Sequence, residues 1–449
     1  MLAYEVIELT PPPAAMGPAG QVFAWDVNSN GEAAGGAHKH DRADQEPVLW
    51  MKPDAPQVIE PIPPGGWAGW GEAINDHDDV VGGTDWPNYD TNRKGGPSAF
   101  IFHNKRGSVQ DLAQIVGGKV SLALDINDEG FVVGHAGERL VLEFPSAPAH
   151  GFIYDSKNDG LTEIDPPPGH VNASANAINN LGHVVGVFSG GVADSFWRLF
   201  IHREGQTDDL GLAYGYDIND TDVITGVRLV YSNQVPHTCA FRYDAAAANP
   251  SFEDLNGLPS GLINSTGVSI NNDGVIVGWA LAGTGPWPRN PHAVIYIPDG
   301  PDAGWTDLND TLVNNDGWDL YHARGISNSG HIVGIGHHHG LRRAFLLRPH
   351  APHLELVAQA IWVLITIIGG STVGAPGGIG ITGGGNPVPI DPQEFATVWR
   401  DLSAHERDTY IGVAIRNLGG IVADPETRAE VERVATRLME SGTREVGSG

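Results

Sequence analysis

Short apolar runs alternate with short polar groups along residues 1–353 of the chain. In the clearest instances an asparagine-led polar group follows an aliphatic residue, and a valine- or isoleucine-rich run ending in glycine comes next. Short apolar runs separated by turn-forming residues are typical of β-strands rather than of amphipathic helices. The pattern therefore predicts an all-β region built from hairpins.

The same hairpin pattern occurs seven times. The copies are DVNSNGEAAGG from Asp26, AINDHDDVVGG from Ala73, DINDEGFVVG from Asp125, AINNLGHVVG from Ala177, DINDTDVITG from Asp217, SINNDGVIVG from Ser269 and GISNSGHIVG from Gly325. The position after the aliphatic residue is Asn28, Asn75, Asn127, Asn179, Asn219, Asn271 or Ser327. Seven residues later every copy has a glycine. Repetition at intervals of 40 to 56 residues indicates a repeat architecture.

Most copies continue with two further strand patterns. An aromatic and aliphatic run such as SAFIFH (98–103) precedes a short acidic one such as SVQDL (108–112), and four strands in about 50 residues make one propeller blade. The seventh copy lacks the acidic strand, but the chain begins with one, YEVIELTPPP (4–13), that parallels LTEIDPPPG (161–169). The prediction is a seven-bladed β-propeller over residues 1–353, with the N-terminal strand closing the last blade.

The repeat A/D-x-I-N-x-x-G-x-V-V-G, followed by H/S-A-F-I-Y, resembles the extracellular HAF-repeat proteins, which are often found in bacteria. Copies two and five depart from it, with Asp78 and Asp222 at the turn glycine, and copy seven has Ser327 in place of the asparagine. The resemblance implies a propeller-like repeat fold. It implies no particular activity and no catalytic residue.

The composition changes after the repeats. Residues 356–390 contain no charged residue and no histidine: an apolar run (357–368) is followed by a glycine-rich stretch (369–385). Three hypotheses remain for residues 354–390: an apolar helix packed on the propeller or a partner and followed by a linker, a membrane segment, or a homo-oligomer contact. Residues 391–449 predict a small helical unit.

Charge and cysteine content narrow the class of protein. The chain carries 26 Lys and Arg against 54 Asp and Glu, a formal net charge of −28, which repels phosphate backbones and excludes a nucleic acid as the principal ligand. A single cysteine, Cys239, excludes an internal disulfide and a cysteine-based zinc site. The N-terminus shows no signal-peptide pattern, so the chain as it stands is expected in the cytoplasm, and at the cell surface or outside if a leader has been removed.

Aromatic residues are concentrated in the segments that join the second strand to the third and one repeat to the next. In a propeller these segments emerge on the face opposite the asparagine turns, and variable loops on a rigid scaffold commonly carry binding residues. Aromatic rings stack on sugar rings or hold peptide side chains. The candidate ligand-binding residues are Trp67, Trp70, Trp86, Tyr89, Tyr231, Trp279 and Trp287. The alternative is that these rings cover the seams between blades.

Two groups are weaker candidates for a metal site. They are Asp26, Asn28 and Asn30 in the first turn, and His337, His338 and His339 near the end of the repeats. The first group has the alternating spacing of a calcium loop but Ala37 at the position of its glutamate, and asparagine turns explain it more simply. The histidines lack the spacing of a known zinc motif. No cofactor other than a weakly indicated calcium is predicted.

These observations favour a non-enzymatic recognition module that binds a carbohydrate or a peptide on its aromatic loop face. The segment 354–390 would then couple the module to a membrane or an assembly. A propeller-fold polysaccharide lyase or hydrolase is the first alternative, and an intracellular sensor subunit of a larger complex is the second. The chain has no Walker loop, nucleophile elbow or dinucleotide motif, and no catalytic residue is assigned.

Overall fold

A computed structural model describes residues 2–15, 20–38, 45–59, 69–85, 97–118, 120–138, 148–190, 197–232, 235–283 and 291–350. Contacts divide the chain into the units Met1–Pro349 and His350–Gly449, and every described strand lies in the first unit. The predictions for residues 354–390 and 391–449 fall outside the described ranges. Among the described residues no helix has the length and apolar character needed to cross a bilayer.

The described chain is almost entirely β-strand. The strands are β1 (Tyr4–Glu8), β2 (Val22–Val27), β3 (Ala33–His38), β4 (Gln45–Trp50), β5 (Pro56–Val58), β6 (Gly69–Ile74), β7 (Val80–Asp85), β8 (Pro97–His103), β9 (Ser108–Asp111), β10 (Val120–Ile126), β11 (Phe131–Gly137), β12 (Ala149–Asp155), β13 (Gly160–Ile164), β14 (Asn172–Ile178), β15 (Val184–Ser189), β16 (Arg198–Arg203), β17 (Gln206–Leu212), β18 (Tyr214–Ile218), β19 (Val223–Ser232), β20 (Val235–Asp244), β21 (Phe252–Asp254), β22 (Asn264–Ile270), β23 (Ile276–Leu281), β24 (Pro291–Ile297), β25 (Gly304–Asp307), β26 (Trp318–Ile326), β27 (Ile332–His338) and β28 (Leu341–Pro349). The helices are α1 (Ala113–Val116) and three 3₁₀ turns, Pro13–Ala15, Asn104–Arg106 and Leu308–Thr311. The predicted all-β class is confirmed.

The strands pair in the order in which they follow one another along the chain. β2–β5, β6–β9, β18–β21 and β22–β25 form four-stranded antiparallel sheets. β10–β13 and β14–β17 repeat this order, but one parallel pair, Ala149 with Asn172, joins them into a single eight-stranded sheet. In copies two to six the predicted acidic strand is the last of the four.

The remaining sheet combines the two ends of the repeat region. Its order is β1-β28-β27-β26, and β1 pairs antiparallel with β28 from Tyr4 opposite Pro349 to Glu8 opposite Phe345. A strand from the start of the chain therefore occupies the fourth position beside the last hairpin.

The first strands of the seven hairpins, β2, β6, β10, β14, β18, β22 and β26, contact one another in this order, and β26 contacts β2. We refer to them as the ring of first strands. Apolar side chains are buried between neighbouring sheets: Leu199 and Ile201 of β16, for example, pack with Phe241 of β20. Burying one such side chain contributes about 1.5–3 kcal/mol. The apolar core thus lies between the sheets, and the interior of the ring is lined by the first strands.

Every first strand contains a β-bulge at the same place. In copy one the register slips between Ala24 and Asp26, which leaves Trp25 without a cross-strand partner. The unpaired residues, here called the bulge residues, are Trp25, Glu72, Leu124, Asn176, Tyr216, Val268 and Arg324. A bulge redirects the side chain of the extra residue and is common beside functional sites.

The repeated glycine makes room for this bulge. A Cβ atom placed on Gly35 would overlap the carbonyl oxygen of Phe23, the residue two before the bulge residue. The equivalent overlap occurs at Gly82, Gly134, Gly186, Gly226, Gly278 and Gly334. The glycine that defines the repeat is therefore required by the close approach of two strands.

Candidate functional site

The turn asparagines tie each hairpin to the next. Oδ1 of Asn28 accepts from two backbone N–H groups of its own turn, at 3.0 and 3.1 Å, and its amide nitrogen donates to the carbonyl oxygen of Asn75 at 3.2 Å. The equivalent bond, at 2.9–3.4 Å, joins Asn75 to Asn127, Asn127 to Asn179, Asn179 to Asn219, Asn219 to Asn271 and Asn271 to Ser327. From the last copy, the Ser329 hydroxyl donates to the Ser29 carbonyl oxygen at 2.7 Å.

The residue after each turn asparagine makes a second connection. The backbone N–H of Ser29 donates to the Asp76 carboxylate at 2.7 Å, and that of Asp76 donates to Asp128 at 2.8 Å. The series continues through Asn180, Asp220, Asn272 and Asn328 at 2.7–2.9 Å. Since only a side-chain acceptor is needed, Asp and Asn serve equally well here.

The two copies without a turn glycine use their aspartates for the same purpose. Asp78 and Asp222 have positive φ angles of 67° and 62°. Their carboxylates accept from the amide nitrogens of Asn28 and Asn179, at 3.2 and 3.0 Å respectively. The left-handed conformation, which costs a non-glycine residue free energy, is thus accompanied by an additional bond to the preceding copy.

A cavity of about 140 Å³ opens at the end of the first strands where the turn asparagines lie, which we call the turn end. The cavity is lined by residues of all seven hairpins. Asp125 and Asp217 line it, and Asp125 accepts from the backbone N–H groups of Ile126 and Ile178, both at 2.8 Å. Burial raises the pKa of Asp26 to about 7, that of Asp217 to about 6 and that of Asp125 well above its ordinary value. Mutual repulsion adds to the shift of Asp26 and Asp125.

These three aspartates come from copies one, three and five, and the other copies have a small residue at the same position. The small residues are Ala73, Ala177, Ser269 and Gly325. Crowding explains the alternation: a Cβ on Gly325 would lie 2.9 Å from the Oδ1 atom of Asp26. The Ser269 hydroxyl instead donates to Asp217 at 2.9 Å.

Bulge residues of different copies interact with one another along the ring of first strands. The Arg324 guanidinium lies over the Trp25 ring, 4.7 Å from its centroid. Burial raises the pKa of Glu72 and of Tyr216, and the charge of Arg324 opposes the shift in both. Glu72 and Tyr216 lie two copies away from Arg324 in opposite directions, so the charge of Arg324 acts on residues of copies that are not its neighbours.

Further residues of the first strands lie beside them. The Trp70 indole N–H donates to the Glu72 carboxylate. The Tyr214 and Tyr216 rings are 4.6 Å apart, and His322 is two residues before Arg324. We call Trp25, Trp70, Glu72, Tyr214, Tyr216, His322 and Arg324 the inner cluster.

Three nitrogen atoms of the inner cluster are shielded from solvent and have no hydrogen-bond partner within the described part of the chain. They are Trp25 Nε1, His322 Nδ1 and Arg324 Nε. Burial, together with the charges of Arg324 and Arg342, lowers the pKa of His322 to about 3, so its imidazole is neutral at physiological pH. Each buried polar group without a partner costs about 1–3 kcal/mol, so several at one place indicate a site that a ligand completes.

The aromatic residues predicted to bind a ligand fall into three groups. Trp70 belongs to the inner cluster, and Trp279 lies next to it, with its ring 5.6 Å from that of His322. Tyr231 lies near the tip of the β19–β20 hairpin and is 68% exposed. The other four, Trp67, Trp86, Tyr89 and Trp287, lie outside the described residues.

The first group of metal candidates is engaged in other contacts. Oδ2 of Asp26 accepts from the Ile74 backbone N–H at 3.0 Å, and the oxygen of Asn28 is used within the turn. The Asn30 amide nitrogen is 3.4 Å from Glu32. These bonds are those of an asparagine turn, and calcium binding here stays a prediction.

The three histidines of the second group of metal candidates lie in two different places. His338 and His339 come together with Asp316, with ligand atoms within 4.8 Å of one another. His338 is already bonded through both nitrogens, to Glu8 at 2.5 Å and to the Asp316 carbonyl oxygen at 3.0 Å. His337 instead packs near Tyr321, with ring centroids 5.1 Å apart. Metal binding by this group also stays a prediction.

The sequence analysis did not identify the bulge residues. Strand alternation alone assigns inward-facing positions with a period of two, and the bulge breaks that period. One signal was present nonetheless. Three positions before the repeated asparagine the copies have seven different residues, Trp, Glu, Leu, Asn, Tyr, Val and Arg, between a position that is always Ala or Gly and one that is always Asp, Ala, Ser or Gly.

A family described as protein of unknown function (DUF3466) matches residues 197–344, about a third of the chain. That match spans the last three copies and part of the fourth. None of the curated proteins compared with the chain is a significant match.

The similar solved structures are remote in sequence. The β-propeller domain of the Trilobed protease from Pyrococcus furiosus is 13% identical, with a TM-score of 0.46 over 74% of this chain and 94% of that one. Oligogalacturonate lyase in complex with manganese is 10% identical, with a TM-score of 0.48 over 78% and 99%. Pyrococcus horikoshii acylaminoacyl peptidase is 10% identical, with a TM-score of 0.46 over 76% and 54%. The neighbours are propeller-like, in keeping with the all-β fold, and nothing about function is taken from them.

Proposed function

We propose that the described region is a closed, seven-bladed β-propeller of the HAF-repeat type and that it acts as a non-enzymatic recognition module for a carbohydrate or a peptide. The pairing of β1 with β28, the contact of β26 with β2 and the bond from Ser329 to Ser29 support closure. The ligand enters from the loop face and reaches the inner cluster.

The proposed recognition function depends mainly on one observation. Seven hairpins with the same bulge present seven different side chains at the bulge position, whereas the turn asparagine is kept in six of the seven hairpins and the glycine that packs against the bulge is kept in all seven. Positions that hold the scaffold together need the same residue in every copy, and positions that contact an asymmetric ligand do not. The aromatic residues Trp70 and Trp279 lie at the loop side of this set, as expected if the aromatic face leads to it.

The test is binding of the full-length chain to glycan and peptide arrays, followed by titration calorimetry on the hits. Trp25→Ala and Trp279→Ala should each weaken binding at least about tenfold, since buried aromatic contacts commonly carry 1–2 kcal/mol or more of binding free energy. Leu181→Ala is the control, because Leu181 is 60% exposed in a turn at the opposite end. Hits that survive both tryptophan substitutions unchanged would exclude this surface.

The alternative of a propeller enzyme has one observation in its favour. Glu72 is a carboxyl group inside the ring, and burial raises its pKa, although the Trp70 hydrogen bond and the Arg324 charge oppose the shift. A carboxyl group with a raised pKa can act as a general acid or base. Release of new sugar chain ends from polysaccharides by the full-length chain, abolished by Glu72→Gln, would favour a lyase or hydrolase over the recognition module.

A further inference from the structure

We propose that the inner cluster binds an acidic saccharide, with Arg324 and Trp25 contacting the carboxylate and Tyr216 contacting the face of the sugar ring. This inference rests on the recognition function proposed above and specifies its ligand. It assigns to the bulge residues a chemistry that follows from their charge, their unused hydrogen-bonding groups and their ring faces.

Among the described residues, the charge of Arg324 has no ion-pair partner. Within the described ranges no carboxylate oxygen lies within the 4.0 Å of an ion pair with its guanidinium, although the chain as a whole has a net charge of −28. The Glu72 carboxyl group acts on Arg324 from beyond that distance, and burial raises the pKa of Glu72. Arg342 adds a second positive charge nearby and lowers the pKa of Arg324. An acidic protein with an unpaired arginine inside its ring presents a local site for an anion.

The unused hydrogen-bonding groups favour a carboxylate in particular. Trp25 Nε1 and Arg324 Nε are donors only, and both are shielded from solvent without a partner. The Arg324 guanidinium lies over the Trp25 ring, so the two N–H groups belong to adjacent side chains held in one arrangement. A carboxylate accepts several hydrogen bonds at once and matches the planar guanidinium group.

The remaining members of the cluster suit a sugar ring attached to that carboxylate. The Tyr216 ring is half-buried and packs against the Tyr214 ring, with centroids 4.6 Å apart and the ring planes tilted by 43°. Sugar rings pair an apolar face with hydroxyl groups, and sites for them combine aromatic faces with polar groups that both donate and accept. The phenol of Tyr216 can donate and accept, and the carboxyl group of Glu72 can accept. An acidic side chain of a peptide offers the carboxylate but no ring for Tyr216.

The experiment compares two probes on the full-length chain by titration calorimetry: a short oligouronate and its methyl ester, which lacks the negative charge and carries one added methyl group on each carboxyl. The acid should bind at least about tenfold tighter than the ester, because a charge-assisted hydrogen bond contributes about 1.5–3 kcal/mol. In Arg324→Met this preference should disappear, and Trp25→Phe, which keeps the ring and removes the N–H, should weaken binding of the acid about threefold to tenfold. Arg348→Met is the matched control, since Arg348 is half-exposed and lies 3.9 Å from Glu5 on the outer strands.

Each outcome has one meaning. Equal binding of acid and ester, or a preference that persists in Arg324→Met while circular dichroism shows a folded protein, overturns the acidic-saccharide assignment. Tight binding of a neutral glycan or of an acidic peptide instead of the oligouronate also overturns it, but leaves the recognition function standing. Failure of every glycan and peptide to bind removes both proposals together.

Discussion

The turn end is built on all seven first strands and the inner cluster on four of them, and in each of these four the two regions are only a few residues apart. At the turn end six copies use asparagine, and its amide and carbonyl groups bond to the next copy. In the inner cluster the copies diverge, and three nitrogen atoms lack partners. A residue that bonds one copy to the next has to be the same in every copy. A residue that contacts a ligand can differ from copy to copy.

The two regions also differ in what their polar groups contribute to stability. A buried hydrogen bond adds about 1 kcal/mol, and a buried group without one costs about 1–3 kcal/mol. The turn end should therefore stabilise the fold. The inner cluster should destabilise it slightly, because its unpaired polar groups are kept for binding a ligand. Four substitutions or sets of substitutions test this contrast.

Gly35→Ala should have the largest effect, because the new Cβ would overlap the Phe23 carbonyl oxygen and force the bulge and the turn apart. We expect a loss of about 3 kcal/mol in the free energy of unfolding, measured by denaturant titration. Gly36→Ala is the matched control: its nearest neighbour would be the Trp70 Cβ at 3.4 Å, an ordinary contact, and it should be neutral or stabilise by up to about 1 kcal/mol. Similar losses in both variants would contradict the role assigned to the repeated glycine.

Asn219→Ala should come next. The side chain accepts from the Thr221 and Val223 N–H groups and donates to the Asn271 carbonyl oxygen at 2.9 Å, all in a buried position. We expect a loss of roughly 2–3 kcal/mol, at about 1 kcal/mol for each bond. Tyr216→Phe, three residues earlier in the same strand, should change the unfolding free energy by less than about 1 kcal/mol. A larger loss from Tyr216→Phe than from Asn219→Ala would reverse the comparison.

The contrast also explains how much of the molecule follows from the sequence. The turn asparagines and the glycines are repeated because each copy needs them, so the hairpins, the all-β class and the strand at residues 4–8 could all be predicted. The predicted acidic strands of copies two to six lie at the end of their sets of four, for example at Ser108–Asp111. A repeated sequence pattern predicts structure where every copy has the same physical requirement, as it does at the turns and at the glycines beside the bulges.

The inner cluster could be predicted only in part. Aromatic content directed attention to Trp70 and Trp279 but also to Tyr231, which lies away from the cluster on an exposed hairpin. Trp25 and Arg324 come from the first and last copies and meet only because β26 contacts β2. No local sequence pattern predicts a contact between residues 25 and 324. No local pattern predicts the bulge that places both side chains in the cluster either.

The buried aspartates of the turn end give a pH-dependent test. Burial raises the pKa of Asp26 and Asp217 in the folded state above the unfolded value near 4, so the folded protein binds more protons between pH 4 and about 7. Their contribution to stability is therefore largest in acid and is lost as the pH rises through that window. Replacing Asp26, Asp125 and Asp217 by Asn should remove this decline. Relative to wild type, the variant should gain on the order of 1 kcal/mol or more between pH 4.5 and 7.5. A constant difference between the two proteins across this range would show that the aspartates stay ionised in the fold.

Arg324→Met should have the smallest effect on stability, and its sign is informative. The wild-type guanidinium is shielded from solvent, lacks an ion pair among the described residues and leaves Nε without a partner. Methionine keeps the length of the side chain and its contact with the Trp25 ring while removing the desolvated charge, and such replacements are often neutral or stabilising. We therefore expect a change between zero and a gain of about 1 kcal/mol in denaturant titration without ligand. Arg343→Met is the contrasting control, because Arg343 contacts Glu8 at 3.2 Å and the Gly20 carbonyl oxygen at 2.8 Å, and it should destabilise. A loss from Arg324→Met as large as that from Arg343→Met would mean that Arg324 holds the ring together, and the division between a structural turn end and a recognition cluster would no longer hold.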